Sequence, residues 1–505
     1  MANYNIDYEI LNYEKFYRRL NEICLNEANK FPVEKLESLG KSKCGFNIEH
    51  FKIGNGPTHI VYMGGCHGNE IISVDYVTQL MKNIALGLGE YQSFDHNEFT
   101  IDFIPCQNPE GFFTTTYALN SYMKNMTDEE VESFSKNYYN AYKKDDINAI
   151  TVNKIINTFC TNINLSLNKV ELQKAFWDLY RNQEIDITKI INFLMQYSKT
   201  TELQAVTELV KSIWQEKLQP NYIIPKDKYH NAIFADLTID CIPEIDEAHI
   251  KLKEQLKKLY KDNKFPIGTL ANFFSNASGV NLNDNNEFFY NDLKERIAKD
   301  GNVYGNLRDN NLLKNIPGPI GTPCENIDEP FKYSEENIAL LDFLASQEDH
   351  NYAFINCHGT GGLFYLYPVT ENDMIQAHED GVERKFQFYI NNRLATEYTK
   401  ETGKVYEEFT GTNAPYKTQG YPEKITGVGD VLRKKYLASF LLELSKAGGN
   451  PIAPYCDREG NYKLTMLANF RANAKMMQTI LELKHLYNSS YTMTYQGKTV
   501  KYKVK

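Results

Sequence analysis

The sequence predicts an α/β fold: a central sheet flanked by helices and interrupted by a large helical insertion. Three observations carry this. Short apolar runs of strand character alternate with glycine loops and helix-periodic segments in both halves of the chain. Polar residues gather at the ends of those runs, where open α/β sheets collect their ligands. Between residues 119 and 264 glycine disappears and charged, helix-periodic sequence takes over.

Taken in order, residues 13–29 carry apolar side chains at near-helical spacing and predict the first helix. Residues 46–52 and 59–63 read as strands, with Gly54-Asn55-Gly56-Pro57 as the turn between them. The second strand runs into Gly64-Gly65-Cys66-His67-Gly68-Asn69-Glu70 and then into a helix over 71–84. Residues 99–105 form another strand, ending at Asn108-Pro109-Glu110-Gly111. In the insertion, Thr127-Asp128-Glu129-Glu130 marks a helix start, and 170–194 and 201–218 repeat the helical pattern. The α/β texture returns at Ser278-Gly279-Val280-Asn281-Leu282-Asn283, followed by strands at 352–357 and 438–444. A helix over 462–487 comes next, and the segments on either side of Gln496-Gly497 suggest a closing hairpin. The expected division is a discontinuous domain of 1–118 and 265–490, an insertion of 119–264, and a hairpin of 491–505 packed on the core.

Composition narrows the class. At 505 residues the length alone suggests about two to four domains. A formal net charge of −10 argues against a nucleic-acid or acidic-membrane binder, since both need a basic surface. An apolar fraction of 42% is enough to fold around a large core and excludes general disorder. The first residues show no basic region followed by an apolar one, and no run approaches the roughly 18 apolar residues of a membrane span. Nine scattered cysteines without a Cys-x-x-Cys pair fit reduced thiols, so a soluble cytoplasmic protein is expected.

One constellation carries chemistry. His67 and Glu70 follow a strand and precede a helix, and their three-residue offset lets both reach one metal ion. His358, in Phe354-Ile355-Asn356-Cys357-His358-Gly359-Thr360-Gly361-Gly362, again ends a strand at a glycine loop and supplies a third ligand. Two histidines and a glutamate leave the fourth zinc position open, the arrangement of a hydrolytic site. Cys66 and Cys357 precede the two histidines and are expected to be buried strand-end residues pointing away from the metal.

The order of motifs resembles the zinc carboxypeptidase family. Gly40-Lys41-Ser42 and Ile48 resemble its opening strand, and Gly64 to Glu70 its GxHGxE ligand loop. Asn108-Pro109-Glu110-Gly111 resembles NPDG, Gly279-Val280-Asn281-Leu282-Asn283 resembles GVDLN, and Cys357-His358-Gly359-Thr360-Gly361-Gly362 resembles the third-ligand loop. Residues Phe440-Leu441-Leu442-Glu443-Leu444 resemble the late strand that bears the catalytic glutamate. The resemblance covers the chain outside 119–264. It implies a mixed sheet in α/β/α layers, one Zn2+ ion held by His67, Glu70 and His358, and Glu443 as general base on water activated by the zinc. A carboxylate flanked by Phe440, Leu441, Leu442 and Leu444 is costly to bury without such a role.

The sequence also departs from the family. Exopeptidases of this kind clamp the substrate carboxylate with arginines, because a guanidinium matches it bidentately. Here Phe46 follows Gly45, Asp284 follows Asn283, and residues 271–278 hold no basic side chain. Asp284 reverses the charge, which points either to a cationic substrate group or to a partner such as Arg433 or Lys424. Asn283, Asp284, Tyr421 and Arg433 are the candidate substrate-binding residues. Asn281 stands where the resemblance implies an aspartate that supports a zinc-binding histidine.

The leading expectation is a zinc-dependent hydrolase of amide or peptide bonds with altered recognition of the substrate terminus. Its partner is a peptide or N-acyl amino acid substrate, with no nucleic acid and no membrane. The alternatives are an aspartoacylase-like N-acyl amino acid deacylase and a weakly active or inactive binding protein on the same fold. The insertion joins the core between two segments expected to border the site, which favours a lid over a dimer surface or an inert elaboration.

Overall fold

The computed structural model describes residues 3–8, 11–180, 184–214, 222–223, 234, 237–263, 267–300, 318–319, 321–347, 351–359, 363–366, 393–394, 396–398, 400–402, 438–444, 462–487, 490–495 and 498–503. The strands are β1 (Val33–Lys35), β2 (Phe51–Ile53), β3 (Thr58–Met63), β4 (Phe99–Ile104), β5 (Glu184–Ile185), β6 (Tyr222–Ile223), β7 (Asn351–His358), β8 (Leu363–Leu366), β9 (Ala438–Glu443), β10 (Ser490–Tyr495) and β11 (Lys498–Lys503). Seven of them form one mixed sheet in the order β1-β2-β4-β3-β7-β9-β8. The four central strands, β4, β3, β7 and β9, run parallel, and β1, β2 and β8 add antiparallel edges. Ile60, Val61, Tyr62 and Met63 of β3 are all buried, as is every residue of β4. Burial on both faces explains why these strands read as apolar runs and not as alternating ones.

The helices are α1 (Tyr13–Leu25), α2 (Ile71–Ala85), α3 (Pro109–Met123), α4 (Asp128–Asn162), α5 (Lys169–Tyr180), α6 (Ile187–Ser198), α7 (Leu203–Ile213), α8 (Glu247–Asn263), α9 (Glu287–Asp300), α10 (Glu335–Ser346) and α11 (Lys463–Tyr487). None is long and apolar enough to cross a membrane. The start at Thr127 is a capping box, with Thr127 and Glu130 exchanging side-chain and backbone bonds.

Three elements differ from expectation. The strand foreseen over 46–52 is confined to Phe51–Ile53. A turn at Ser42–Gly45 folds the preceding residues back, with Ser42 N–H donating to Phe46 O at 2.8 Å and Gly45 at φ 104°. The single helix foreseen over 170–194 is two, because Asp186 caps α6 by accepting from Lys189 N–H. Finally, the expected edges at 119 and 264 fall within segments that share the sheet's apolar cluster, which includes Leu119, Phe234, Ile242, Leu252 and Leu256. A separate cluster gathers side chains from Val152 to Val210, on α4 to α7. The closing hairpin forms, β10 pairing with β11 from Ser490↔Lys503 to Tyr495↔Lys498.

Helix α2 starts one residue after Glu70, and all of it except Lys82 is buried. Its polar residues are satisfied by side chains and backbone wrapped around it. Asn83 exchanges hydrogen bonds with the Asn5 backbone at 2.8 and 2.9 Å, and Gln79 does so with Asp7 at 2.9 and 3.0 Å. Arg19 of α1 reaches Asp75 at 2.6 Å and Asp7 at 2.7 Å, while Tyr462 also donates to Asp75. Burial pushes the Asp75 carboxyl pKa up, and Arg19 works against that push.

The loop over 276–286 is a polar knot. Asn276 Oδ1 accepts from Ser278 N–H at 3.1 Å and Val280 N–H at 3.0 Å, around a Gly279 at φ 77°. Its amide also donates to Glu336 Oε2 at 3.3 Å, and Glu336 Oε1 is buried without a partner among the described residues. Burial and the nearby Glu110 carboxylate hold the Glu336 pKa well above its ordinary 4.5.

Two outcomes follow for stability. Arg19→Ala leaves Asp75 buried and uncompensated and should destabilise the fold by about 3–5 kcal/mol in urea unfolding; a loss under about 1 kcal/mol would show that this network does not anchor α2. Glu336 holds its proton in the folded state at pH values where the unfolded chain has released it. Its contribution is therefore present below pH 4.5 and is lost as pH rises towards its folded pKa. Glu336→Gln should accordingly match the parent near pH 4 and gain on it as pH rises; curves that stay parallel from pH 4 to 8 would contradict the shift.

Candidate metal centre

The site lies at the C-terminal ends of the parallel strands, where their side chains and loops converge. After β3, the Gly64–Glu70 loop is squeezed between neighbours. Gly68 N–H donates to Phe274 O at 2.9 Å, and a Cβ on Gly68 would stand 2.2 Å from the Gly111 backbone. Gly111 belongs to the turn that begins α3, where Asn108 Oδ1 caps the helix by accepting from Gly111 N–H at 2.9 Å. The same Asn108 donates through Nδ2 to Cys66 O at 3.2 Å, so the helix start and the ligand loop are clamped together.

His67, Glu70 and His358 are buried, and one ligand atom from each lies within 4.8 Å of the others. His67 Nδ1 is 2.9 Å from Glu70 Oε1, His358 Nδ1 is 3.0 Å from Glu70 Oε2, and the two Nδ1 atoms are 3.1 Å apart. Gly359 N–H donates to Glu70 Oε2 at 3.0 Å, and a Cβ at 359 would meet Glu70 Cβ at 2.8 Å. Glycine is therefore needed after His358 so that the backbone can reach the carboxylate.

The hydrogen-bond network assigns the His67 tautomer. Asn281 Oδ1 accepts from the Asn283 backbone N–H at 3.0 Å, which identifies that atom as the carbonyl oxygen. The same oxygen lies 3.2 Å from His67 Nε2, which must then be the protonated nitrogen. Burial lowers the His67 pKa, while the Glu70 carboxylate 2.9 Å from Nδ1 works in the opposite direction. Nδ1 faces that carboxylate and a second imidazole. Burial alone would raise the Glu70 pKa, but the two imidazoles outweigh it and hold the carboxyl well below the usual range. For His358, burial is outweighed in the other direction by Glu70, with Glu443 and Asp284 adding to the effect, and its pKa rises.

Two imidazoles and one carboxylate at this spacing fit zinc. Tetrahedral ligands about 2.1 Å from the ion are roughly 3.4 Å apart, a little wider than the 2.9–3.1 Å seen between these atoms.

Glu443 ends β9 in register with His358, and Leu444 N–H donates to His358 O at 3.0 Å. Partners in a parallel pair point to the same face, which sets the Glu443 carboxylate beside His358. Asp284 is half-buried and accepts from Asn281 Nδ2 at 3.0 Å. Asn283 is buried, and its Oδ1 has no hydrogen-bond partner among the described residues. Phe46 is a core side chain packed on Phe113 and His249, with ring centroids 5.2 and 4.9 Å apart. Tyr421, Arg433 and Lys424 lie outside the described residues. Cys66 and Cys357 are buried among apolar side chains, and burial pushes both thiol pKa values up.

Two contributors escaped sequence reasoning. Glu110, read as a turn residue, is fully buried and bridges two loops by accepting from Cys44 N–H at 2.6 Å and Ala277 N–H at 3.0 Å. Phe274 stacks on the His67 ring at 3.6 Å between centroids. An acid inside a turn motif flagged the first; no spacing signal marked the second.

Comparison with known proteins follows the same line. Residues 25–221 match the zinc carboxypeptidase family model, a span that holds His67 and Glu70 and stops before Asn281, His358 and Glu443. No curated protein matches the chain. Among solved structures it is similar to bovine thrombin-activatable fibrinolysis inhibitor in complex with tick carboxypeptidase inhibitor, at 11% identity and a TM-score of 0.41, over 94% of this chain and 98% of that one. It is also similar to a metallo-carboxypeptidase from Burkholderia cenocepacia (10% identity, TM-score 0.36, 93% and 70% covered). A third is carboxypeptidase A from Helicoverpa armigera (11%, 0.37, 93% and 75%). Over its segment 25–221, the part that carries His67 and Glu70, this chain is similar to the zinc carboxypeptidase family model.

Proposed function

We propose that this chain is a zinc-dependent hydrolase of peptide bonds in which His67, Glu70 and His358 hold the metal. The observation that carries the reading is the convergence of His67 Nδ1, the Glu70 carboxylate and His358 Nδ1 in one buried cluster. Zinc bound there would lower the pKa of a water and polarise a substrate carbonyl. Glu70 keeps its charge because two imidazoles face it, and Gly359 N–H holds one of its oxygens in place. Phe274 covers the face of His67 and keeps water off that side of the ring. Glu443, beside His358, is the group that would take a proton from the attacking water and hand it to the leaving nitrogen.

Substrate recognition differs from a carboxylate clamp in this reading. Phe46 is spent on the core, and Asp284 contributes negative charge near both histidines. A free terminal carboxylate is repelled at such a position, whereas a blocked terminus or an amine is accepted.

Glu443→Gln keeps the size of the side chain and removes the base. It should lower kcat by about 10²–10⁴-fold with zinc content unchanged by elemental analysis; full activity in that variant would remove Glu443 from the mechanism. Matched peptides ending in a free carboxylate, an amide or an amine test the second point. The amide and amine forms should show the higher kcat/KM, and preference for the free carboxylate would refute the recognition model.

A further inference from the structure

Glu443 is half-buried at the last position of β9, and the residue after it is held from two sides. Leu444 N–H donates to His358 O at 3.0 Å, which carries the bonding between β7 and β9 one step past Glu443. Leu444 O accepts from Asn469 Nδ2, on α11, at 3.4 Å. That bond is long, but Leu444 is buried, and a buried carbonyl has no water to turn to. The end of a strand is where a ladder opens first. Here the opening is checked by the strand that bears His358 and by a helix side chain.

Asn469 is fully buried, and its amide is committed at both ends. Nδ2 faces two carbonyl oxygens, Thr465 O at 2.8 Å and Leu444 O at 3.4 Å, and only an NH₂ group satisfies both. Oδ1 accepts from the Tyr398 hydroxyl. The Asn469 backbone O accepts from the hydroxyl of Tyr76, on α2, at 3.4 Å. One residue thus joins the strand end that carries Glu443 to the helix that begins at Glu70. Asparagine is a poor helix former and costly to bury, so its place in α11 calls for a contact that an apolar side chain cannot make. Four residues on, Asn473 is buried in the same way but takes the Tyr62 and Tyr91 hydroxyls as partners.

We propose that Asn469 is a positioning residue for Glu443: by gripping the carbonyl of Leu444 it fixes the strand end from which the carboxylate reaches the reacting water. This rests on the general-base reading above for its consequence, but the grip itself is a property of the chain with or without a metal. A base has to stand within hydrogen-bond reach of the proton it takes, and a displacement of about 1 Å costs up to about 10²-fold in rate. Glu443 hangs from its backbone by two methylene groups, so a shift of the strand end passes to the carboxylate. In Asn469→Ala the whole amide is lost. In Asn469→Leu the space is filled and only the polar contacts are lost.

Kinetics and hydrogen exchange decide it. On a peptide with an amidated terminus, the zinc-loaded Asn469→Ala and Asn469→Leu variants should lose about 10-fold in kcat, with KM within about 3-fold and zinc content unchanged. Asn473→Ala, which also loses buried bonds to tyrosines, should keep kcat within about 3-fold. Added to Glu443→Gln, Asn469→Leu should cost nothing further, because a positioning residue acts only through the group it positions. The Leu444 amide should exchange about 10-fold faster in Asn469→Leu while the amides of α11 keep their protection. The proposal is overturned by parental kcat in both Asn469 variants, by an equal loss in Asn473→Ala, by a further loss in the Glu443→Gln background, or by unchanged exchange at Leu444. It falls equally if both Asn469 variants fail to fold or lose protection along all of α11, since the role is then structural. If Leu444 exchange rises as stated but the parent cleaves no amide, or Glu443→Gln cleaves it as well as the parent, the grip stands and the general-base reading fails. If Glu443→Gln is inactive and the Asn469 variants match the parent in kcat and exchange, the reverse holds.

Discussion

Glu70 is a carboxylate with almost no contact with solvent, and it stays charged because two imidazoles and a backbone N–H surround it. Much of the surrounding packing serves that arrangement. A buried charge is tolerable only when its partners cannot drift away. Glu70 is held from behind by α2, a helix buried along nearly its whole length, and from the front by Gly359, which only a glycine allows to approach so closely. The parallel strands β3, β7 and β9 deliver the two histidines and Glu443 to one edge of the sheet. Register does this work: His358 and Glu443 are direct partners, so neither strand can slip by one residue without turning a functional side chain to the opposite face.

Helix α2 explains a feature far from the site. Asp75, Gln79 and Asn83 are polar residues on a helix that has no solvent face. They are satisfied by the segment over 3–8, by Arg19 on α1 and by Tyr462 next to α11. The beginning of the chain and one of its last helices thus close over the element that starts beside Glu70. Glu70, the N-cap of that helix, is held in place by the same cover.

The convergence of His67, Glu70 and His358 was legible in the sequence for a physical reason. A strand-end histidine followed by glycine leaves a local mark, since the geometry that brings it to a ligand is made by its immediate neighbours. The strands β3 and β4 were legible too, because burial on both faces demands continuous apolar runs. What could not be read depended on distant partners. The end of the strand expected at 46 was set by a turn closing on Ser42, and the division of the helix expected over 170–194 by the Asp186 cap. Phe274 and Glu110 make their contacts with residues far along the chain, Phe274 with His67 and Glu110 with Cys44 and Ala277; only the turn motif around Glu110 marked either of them. The edges foreseen for the insertion fell short for the same reason. Helical periodicity reports how a segment is wound, and α8 is wound like its neighbours while packing into the sheet's cluster.

The charge at position 284 has two consequences that share one cause. Where an arginine would offer donors to a substrate, Asp284 offers only acceptors, and one of them is already taken by Asn281. The carboxylate is therefore tied to the amide that accepts from His67. Glu70, Glu443 and Asp284 are the carboxylates that act on His358. A substrate carboxylate would enter against that field, while a neutral or cationic end would not.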